Sequence, residues 1–168
     1  MGCCFVFSVD ARELYQMIVF GNEALTNDAY LVDKEEALNL LPTTVSEIWV
    51  APFEMMNLIE LDFSRFQNLE TLVFGKRSAN RIELIEVSGL VNLEHIIVGN
   101  HSFCEESGCC RITNCPSLQT IQIGDESFVD YESFEVSGLP SLYCIQIGLS
   151  AFEFAESLQL MSSLVWVS

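Results

Sequence analysis

The stretch Asn-Leu-Glu-His-Ile-Ile-Val-Gly at residues 92–99 decides the fold, because the chain repeats its pattern. Three other segments align with it without gaps: NLETLVFG at 68–75, SLQTIQIG at 117–124 and SLYCIQIG at 141–148. The leucine anchors of the four copies lie 24, 25 and 24 residues apart, at Leu69, Leu93, Leu118 and Leu142. A period of this length predicts a repeat protein whose similar coils stack on one another.

Each copy predicts a short strand that ends at a glycine. Apolar residues stand three and five positions after the anchor and alternate with other residues, which is the period of a strand with one buried face. Six positions after the anchor the residue is always glycine, at Gly75, Gly99, Gly124 and Gly148. We expect glycine there because the backbone must turn with a positive φ at the end of the strand.

A second alternating segment in each copy predicts a second strand. It reads Leu61-x-Phe63, Ile85-x-Val87, Cys110-x-Ile112 and Phe134-x-Val136. Between the two arms, three copies carry a phenylalanine that we expect to fill the interior, at Phe103, Phe128 and Phe152. Because one coil cannot bury its own apolar face, the sequence predicts a mainly β solenoid with a parallel sheet and about six coils.

The same period organises the whole chain as a single solenoid domain over residues 1–168. We expect a degenerate first coil at 7–25, an insertion at 26–44 with a short helix near 33–41, regular coils at 45–157 and a truncated last coil at 158–168. The helix is expected where Asp33 and Glu36 fit a capping box. The last copy is aligned on Leu164, with Leu158 six positions before it, so that Trp166 falls two positions after the anchor.

At these residues the chain resembles leucine-rich repeats, whose general pattern is L-x-x-L-x-L-x-x-N/C-x-L. Its Asn/Cys position departs from that pattern and holds Arg77, His101, Glu126 and Ser150. The segments Gly99–Phe103, Gly124–Phe128 and Gly148–Phe152 are similar to the BspA-like subclass, which carries Ile-Gly-x-x-Ala-Phe. The resemblance covers residues 45–168 well. It implies a solenoid with a parallel sheet on one side, a role in recognition and no shared catalytic residues.

Composition restricts the classes of partner. The 168 residues include 24 Asp+Glu and 7 Lys+Arg, for a net charge of −17, while 50% of residues are hydrophobic. An apolar half indicates a folded domain rather than an acidic disordered tail. The negative charge argues against nucleic acid and anionic membranes as partners. No Lys or Arg follows Arg111. The unbalanced negative charge of the C-terminal part favours a basic protein partner; alternatively, that charge only keeps the protein soluble.

The N-terminus and the cysteines bear on location and cofactors. No basic residue precedes the first apolar stretch and no 18-residue apolar run occurs, which predicts neither a signal peptide nor a transmembrane segment. Gly2 fits the start of an N-terminal acylation motif, but Val6 stands where that motif has Ser or Thr. Seven cysteines, with two adjacent pairs, favour a reducing, cytoplasmic setting; a surface protein or a fragment of a larger one remains an alternative.

The cysteines in Cys104-x4-Cys109-Cys110-x4-Cys115 lack the spacing typical of zinc sites. Cys110 and Cys115 fall on apolar repeat positions, where cysteine acts as a small hydrophobic residue. We therefore expect no metal and no cofactor, with a disulfide from Cys104 to Cys109 or Cys110 as the alternative.

The outward positions of the first strand form the predicted binding face. They stand two and four residues after each anchor: Glu47, Trp49, Thr71, Val73, His95, Ile97, Thr120, Gln122, Cys144, Gln146 and Trp166. The middle of this strip is uncharged and a tryptophan stands near each end, which favours a protein-binding face. Alternatively, these residues are only good strand formers, and the protein is a structural or surface-displayed spacer. Self-association through an exposed C-terminal coil is a further expectation.

Catalysis is not expected from this sequence. It contains no G-x-S-x-G nucleophile elbow and no phosphate-binding glycine loop. A hydrolase that uses His95 with Thr71 or Thr120 is the least favoured of the three hypotheses.

The second arm has its own outward column, Asp62, Glu86, Arg111 and Glu135. We expect Arg111 to relieve repulsion between Glu86 and Glu135. On that basis Arg111→Glu should destabilise the protein more than Arg65→Glu.

Overall fold

The structure is a computed structural model that describes residues 29–32, 35–53 and 58–161. In it, two parallel sheets wind into a β-solenoid of about five turns with almost no helix. The first sheet has the order β1 (Ala29–Val32), β2 (Glu47–Val50), β4 (Thr71–Phe74), β6 (His95–Val98), β8 (Thr120–Ile123) and β10 (Cys144–Ile147). The second has the order β11 (Ser157–Met161), β9 (Ser133–Ser137), β7 (Cys109–Thr113), β5 (Leu84–Ser88) and β3 (Glu60–Asp62). The described helix is α1 (Glu35–Leu40).

The strand register confirms the repeat alignment over the regular coils. Thr71, His95, Thr120 and Cys144 pair in sequence across the first sheet, as their equivalent positions in the repeat require. The apolar positions between them point to the core, and Leu72, Ile96 and Ile121 are buried there. Each repeat therefore contributes one strand to each sheet, and the fold class predicted from the sequence is confirmed.

The repeat glycines are required for a different reason from the one predicted. The described glycines with positive φ are Gly89 and Gly138, so the expectation of a positive φ after the first strand was wrong. A Cβ atom on Gly99 would lie 2.6 Å from the backbone nitrogen of Lys76 in the preceding coil. The glycine is needed because adjacent coils pass too close together for any side chain.

The left-handed backbone lies two and four residues after each glycine instead. The non-glycine residues with positive φ include Arg77 and Ala79, His101 and Phe103, Glu126 and Phe128, and Ser150 and Phe152. A phenylalanine in this region costs on the order of 1 kcal/mol or more in backbone strain. Burial of its ring offsets that cost, because Phe103 and Phe128 are almost fully buried.

The phenylalanines form a continuous stack through the last three coils. The ring centroids of Phe103 and Phe128 lie 4.7 Å apart with an interplanar angle of 1°. Those of Phe128 and Phe152 lie 5.1 Å apart at 9°. Phe74 ends the stack in an edge contact with Phe103, at 4.9 Å and 77°. One aromatic ring from each coil thus fills the interior, as the sequence predicted.

A ladder of buried serines joins neighbouring coils beside that stack. Ser78, Ser102 and Ser127 are fully buried. The hydroxyl of Ser102 donates to the Gly75 carbonyl at 3.0 Å and accepts from the Ser78 backbone N–H at 3.3 Å. The hydroxyl of Ser127 accepts in the same way from the Ser102 N–H at 3.2 Å. Ser102 and Ser127 satisfy buried backbone groups of the coil before them, and the Ser78 hydroxyl donates to the Gly75 carbonyl of its own coil at 2.7 Å. These bonds explain a polar residue at a core position.

The segment 26–44, where we expected an insertion with a helix, contains α1 and also a strand of the first sheet. β1 pairs in parallel with β2, with Ala29 opposite Glu47. This connection is shorter than a regular coil, and α1 occupies it where the other coils have a strand of the second sheet. The predicted first coil at 7–25 lies outside the described residues.

Arg65 fixes the end of α1. Its guanidinium donates to the backbone carbonyls of Leu38 at 2.6 Å and Leu41 at 3.3 Å. Leu38 lies in the last turn of α1, where its carbonyl also accepts from the Leu41 N–H at 3.3 Å, and Leu41 directly follows the helix. The guanidinium carbon also lies 4.4 Å from the centre of the Phe66 ring, a cation–π contact. Arg65 thereby holds the helix against the first coils.

Arg111 makes a weaker contact than Arg65. It stands in register between Glu86 and Glu135, as the sequence predicted. Its Nε lies 3.9 Å from a carboxylate oxygen of Glu135, and both side chains are well exposed. Exposed ion pairs of this kind contribute well under about 1 kcal/mol.

These contacts reverse the expected order of the two arginine variants. Arg65→Glu should lower the melting temperature more than Arg111→Glu, because it removes the carbonyl contacts and places a carboxylate at the negative end of α1. The expected losses are about 1–2 kcal/mol for Arg65→Glu and under about 1 kcal/mol for Arg111→Glu. Thermal unfolding followed by circular dichroism measures both, with Arg81→Glu at an exposed site as the control for charge. An equal or larger loss for Arg111→Glu would contradict this assignment.

The register of the last coil corrects the sequence alignment. Leu158 pairs with Phe134 and Leu160 pairs with Val136, whereas the alignment had placed Leu158 opposite Val136. Shifting the pairing of a strand by two residues leaves every side chain on the same face. The alternation of apolar residues is therefore compatible with both registers. Trp166 lies outside the described residues.

Candidate functional site

The predicted binding face is the outer surface of the first sheet, and its first rungs are covered. Trp49 is 3% exposed and Val73 is 0% exposed, although both stand on the side of the sheet opposite the core. The Trp49 indole N–H donates to a carboxylate oxygen of Glu47 at 3.0 Å. The expectation of an exposed strip beginning at Trp49 was therefore wrong for these two residues, while Glu47 and Thr71 are half-buried.

The later rungs of this face are accessible. Six side chains in two columns are half-buried or exposed there, and we call them the outer strip: His95, Ile97, Thr120, Gln122, Cys144 and Gln146. They belong to β6, β8 and β10, whose register brings each column into line. The structure thus brings together six of the eleven predicted residues as one accessible surface. Asp and Glu are absent from it, in a protein of net charge −17.

His95 is held within the outer strip by its neighbours. Its Nδ1 lies 2.8 Å from the Thr120 hydroxyl, and its Nε2 lies 3.8 Å from a carboxylate oxygen of Glu94. The sequence analysis did not include Glu94, although it stands directly before His95 in the repeat. The three groups have the order of a hydroxyl, an imidazole and an acid, as in hydrolase triads.

Two backbone N–H groups beside this arrangement are already engaged. A triad also needs donors for the developing oxyanion. The nearest backbone N–H groups are already engaged: that of Thr120 donates to Glu94 and that of His95 donates to Glu70. The geometry orients the imidazole on a sheet surface, which suits a contact residue.

The described cysteines are free thiols, and the surroundings of Cys104, Cys110 and Cys115 disfavour their thiolates. Burial, with a smaller contribution from Cys109, raises the pKa of Cys110 well above its usual range. Burial also raises the pKa of Cys104, and the carboxylates of Asp130 and Glu126 add to the effect. Since the thiolate is the form that binds metals and attacks substrates, these cysteines suit packing rather than chemistry.

Two searches for other kinds of site were negative over residues 29–32, 35–53 and 58–161. No group of three or more His, Cys, Asp or Glu side chains in these ranges is placed to hold a metal ion. None of their helices combines the length and the apolar character needed to cross a membrane.

Comparison of the chain with models of protein families, with curated proteins and with solved structures finds no match in any of the three. The repeat solenoid therefore rests on this chain's own strands and their register. The resemblance to a particular repeat family rests on the sequence pattern.

Proposed function

We propose that this protein is a non-enzymatic recognition module of the BspA-like leucine-rich-repeat type, which binds a protein partner through the outer strip. The Gly-x-x-Ser-Phe segments support the family assignment. In the solenoid each residue of that segment has a distinct packing role. The glycine leaves room for the backbone of the neighbouring coil, the serine hydroxyl bonds to buried backbone groups, and the phenylalanine ring stacks on the ring of the next coil.

The observation that carries the proposed function is that β6, β8 and β10 present no carboxylate at the outer-strip positions, whereas Glu47 stands in the same column on β2. Elsewhere the surface is acidic, with exposed residues such as Glu70, Glu83 and Glu86. The strip instead presents Ile97 and Gln122 side by side, in register on adjacent rungs. Depletion of charge with retained apolar surface is the signature of an interface core, and solenoids bind partners along such stacked columns.

The test replaces the centre of the strip. The double variant Ile97→Glu and Gln122→Glu places two carboxylates in the middle of the interface. We expect partner proteins that cross-link to the wild-type chain to cross-link to this variant no longer. The matched control, Ser133→Glu and Gln159→Glu, adds the same charges to the second sheet. Circular dichroism checks that both variants keep the fold, and quantitative mass spectrometry of cross-linked partners is the readout.

The alternative function is a structural or surface-displayed spacer without a specific ligand. It predicts the same set of cross-linked proteins for the strip variant, the control and the wild type. That outcome with an intact fold would reject the outer strip as a binding face. Because the described cysteines are free thiols, we further propose that the protein works in a reducing compartment such as the cytoplasm.

A further inference from the structure

A polar pocket of about 450 Å³ lies beside the start of β1, β2, β4 and β6 in the first sheet. A volume of this size is typical of ligand-binding pockets in proteins. Six of the residues that line it are polar or aromatic: Tyr30, Thr44, Ser46, Asn68, Glu70 and Asn92. None of the six belongs to the outer strip, so the pocket is a second candidate site on this protein.

Hydrogen bonds between coils fix the backbone of this pocket. The Ser46 carbonyl accepts from the backbone N–H groups of Glu70 at 2.7 Å and Thr71 at 3.1 Å. In the next coil the Glu70 carbonyl accepts in the same way from Glu94 at 2.8 Å and His95 at 3.0 Å. The side chains of Ser46 and Glu70 therefore start from rigid backbone on adjacent rungs, which lowers the conformational cost of binding a ligand there.

The side-chain oxygens of the pocket are available to a ligand. Among the described residues, no hydrogen bond or ion pair is made by four of the lining side chains: Thr44, Ser46, Asn68 and Glu70. The Asn92 amide nitrogen donates to the Gln67 carbonyl at 2.9 Å, which leaves its Oδ1 to accept from a ligand. The pocket therefore presents hydrogen-bond acceptors from three neighbouring coils.

The charge of the pocket selects a cation. Glu70 is exposed and is the one charged residue among the described residues that line the pocket. Its ionised carboxylate can only accept hydrogen bonds, and the chain has a net charge of −17. An anionic ligand is repelled by these charges, whereas a cationic donor gains an ion pair together with its hydrogen bonds.

We propose that this pocket binds the guanidinium group of an arginine side chain on a protein partner. Two N–H groups of the guanidinium pair with the Glu70 carboxylate, and its other N–H groups donate to the amide oxygens of Asn68 and Asn92. Tyr30 supplies an aromatic wall, of the kind against which a guanidinium plane stacks. A lysine ammonium fits less well, because its donors radiate from a single, strongly hydrated atom. The site goes beyond the proposed function, since it does not use the outer strip.

The test titrates the isotope-labelled full chain with N-acetyl-arginine amide, and compares N-acetyl-lysine amide and glucose. We expect the arginine compound to cause saturable shifts of the amide signals at residues 44–46, 68–70 and 92, and to bind more weakly as salt is raised. The lysine compound is expected to bind about threefold more weakly or worse. Glucose should cause no shift at these residues, because it carries no charge to pair with Glu70.

Matched variants test the role of the carboxylate. Glu70→Gln keeps the shape of the side chain and should weaken binding of the arginine compound about fivefold or more, because it removes the charge-assisted hydrogen bonds. Glu83→Gln removes an equal charge at another exposed position and should weaken binding less than about twofold. Asn68→Ala should weaken it about twofold through the loss of one acceptor. All three side chains are exposed, and circular dichroism checks that the variants keep the fold.

The proposal is overturned if the arginine compound causes no saturable shifts at the pocket, or if Glu70→Gln and Glu83→Gln weaken its binding equally. Equally tight binding of the lysine compound also overturns it, as does binding of glucose at the same residues, which would assign the pocket to a sugar. The compounds are too small to cover the outer strip. A negative result here consequently leaves the cross-linking test of the proposed function unaffected, and the reverse also holds.

Discussion

Replacing Gly99 with alanine is expected to destabilise the protein by about 3 kcal/mol. The added Cβ would lie 2.6 Å from the Lys76 backbone nitrogen and 2.8 Å from the Gly75 carbonyl carbon. Both residues are held by hydrogen bonds between coils: the Gly75 N–H donates to the Val50 carbonyl and the Lys76 carbonyl accepts from the Phe53 N–H. The two atoms therefore cannot move aside without separating two coils. Unfolding in urea measures the loss as a lower midpoint at an unchanged slope.

Gly89→Ala is the matched control, because it isolates the effect of backbone conformation. Gly89 has a φ of +68°, and a Cβ there meets nothing within 4 Å. An alanine at this position costs about 1 kcal/mol, from its left-handed conformation alone. If Gly99→Ala costs no more than Gly89→Ala, the close approach of adjacent coils does not explain the repeat glycines.

Phe128→Ala is expected to destabilise the protein by about 3–5 kcal/mol. Its ring is stacked between those of Phe103 and Phe152 and meets Tyr131 edge-on at 4.9 Å. Removing the ring leaves a cavity in the middle of the stack, where the rigid coils cannot collapse around it. Calorimetry or urea unfolding gives the size of the loss.

Phe154→Ala removes an equal volume at an exposed site and serves as the control. Phe154 is among the exposed apolar residues, so its loss should change stability by only about 0.5 kcal/mol. A similar loss for both variants would mean that the stack contributes no more than a surface ring. A loss for Phe128→Ala alone would assign the effect to the interior of the solenoid.

Most of the fold could be predicted because the repeat places equivalent residues in equivalent surroundings. The alternating positions after Leu93 and Leu118 define β6 and β8, and their phase defines the register between coils. The reason for the repeat glycine could not be predicted, since a positive φ and a close contact both select glycine. The φ of the repeat glycines and the distance from Gly99 to Lys76 distinguish them.

The candidate site was less predictable than the fold. Strand periodicity correctly placed Trp49 and Val73 on the face opposite the core, but it carries no information on whether that face is covered. The alignment of the last copy failed for a related reason, because a period of two cannot distinguish registers that differ by two residues. The Arg65 contacts with α1 join residues 27 positions apart in sequence, outside the reach of any local pattern.

The serine ladder has a consequence for how the molecule comes apart. The hydroxyls of Ser102 and Ser127 each tie a coil to the one before it, but the equivalent residue in the last described coil is Ala151. The attachment of that coil consequently lacks one buried link that the inner coils possess. In a linear array, where each unit is held only by its neighbours, fraying begins at the most loosely tied unit. The last described coil, which contains Phe152, is thus expected to detach before the coils that carry Ser102 and Ser127.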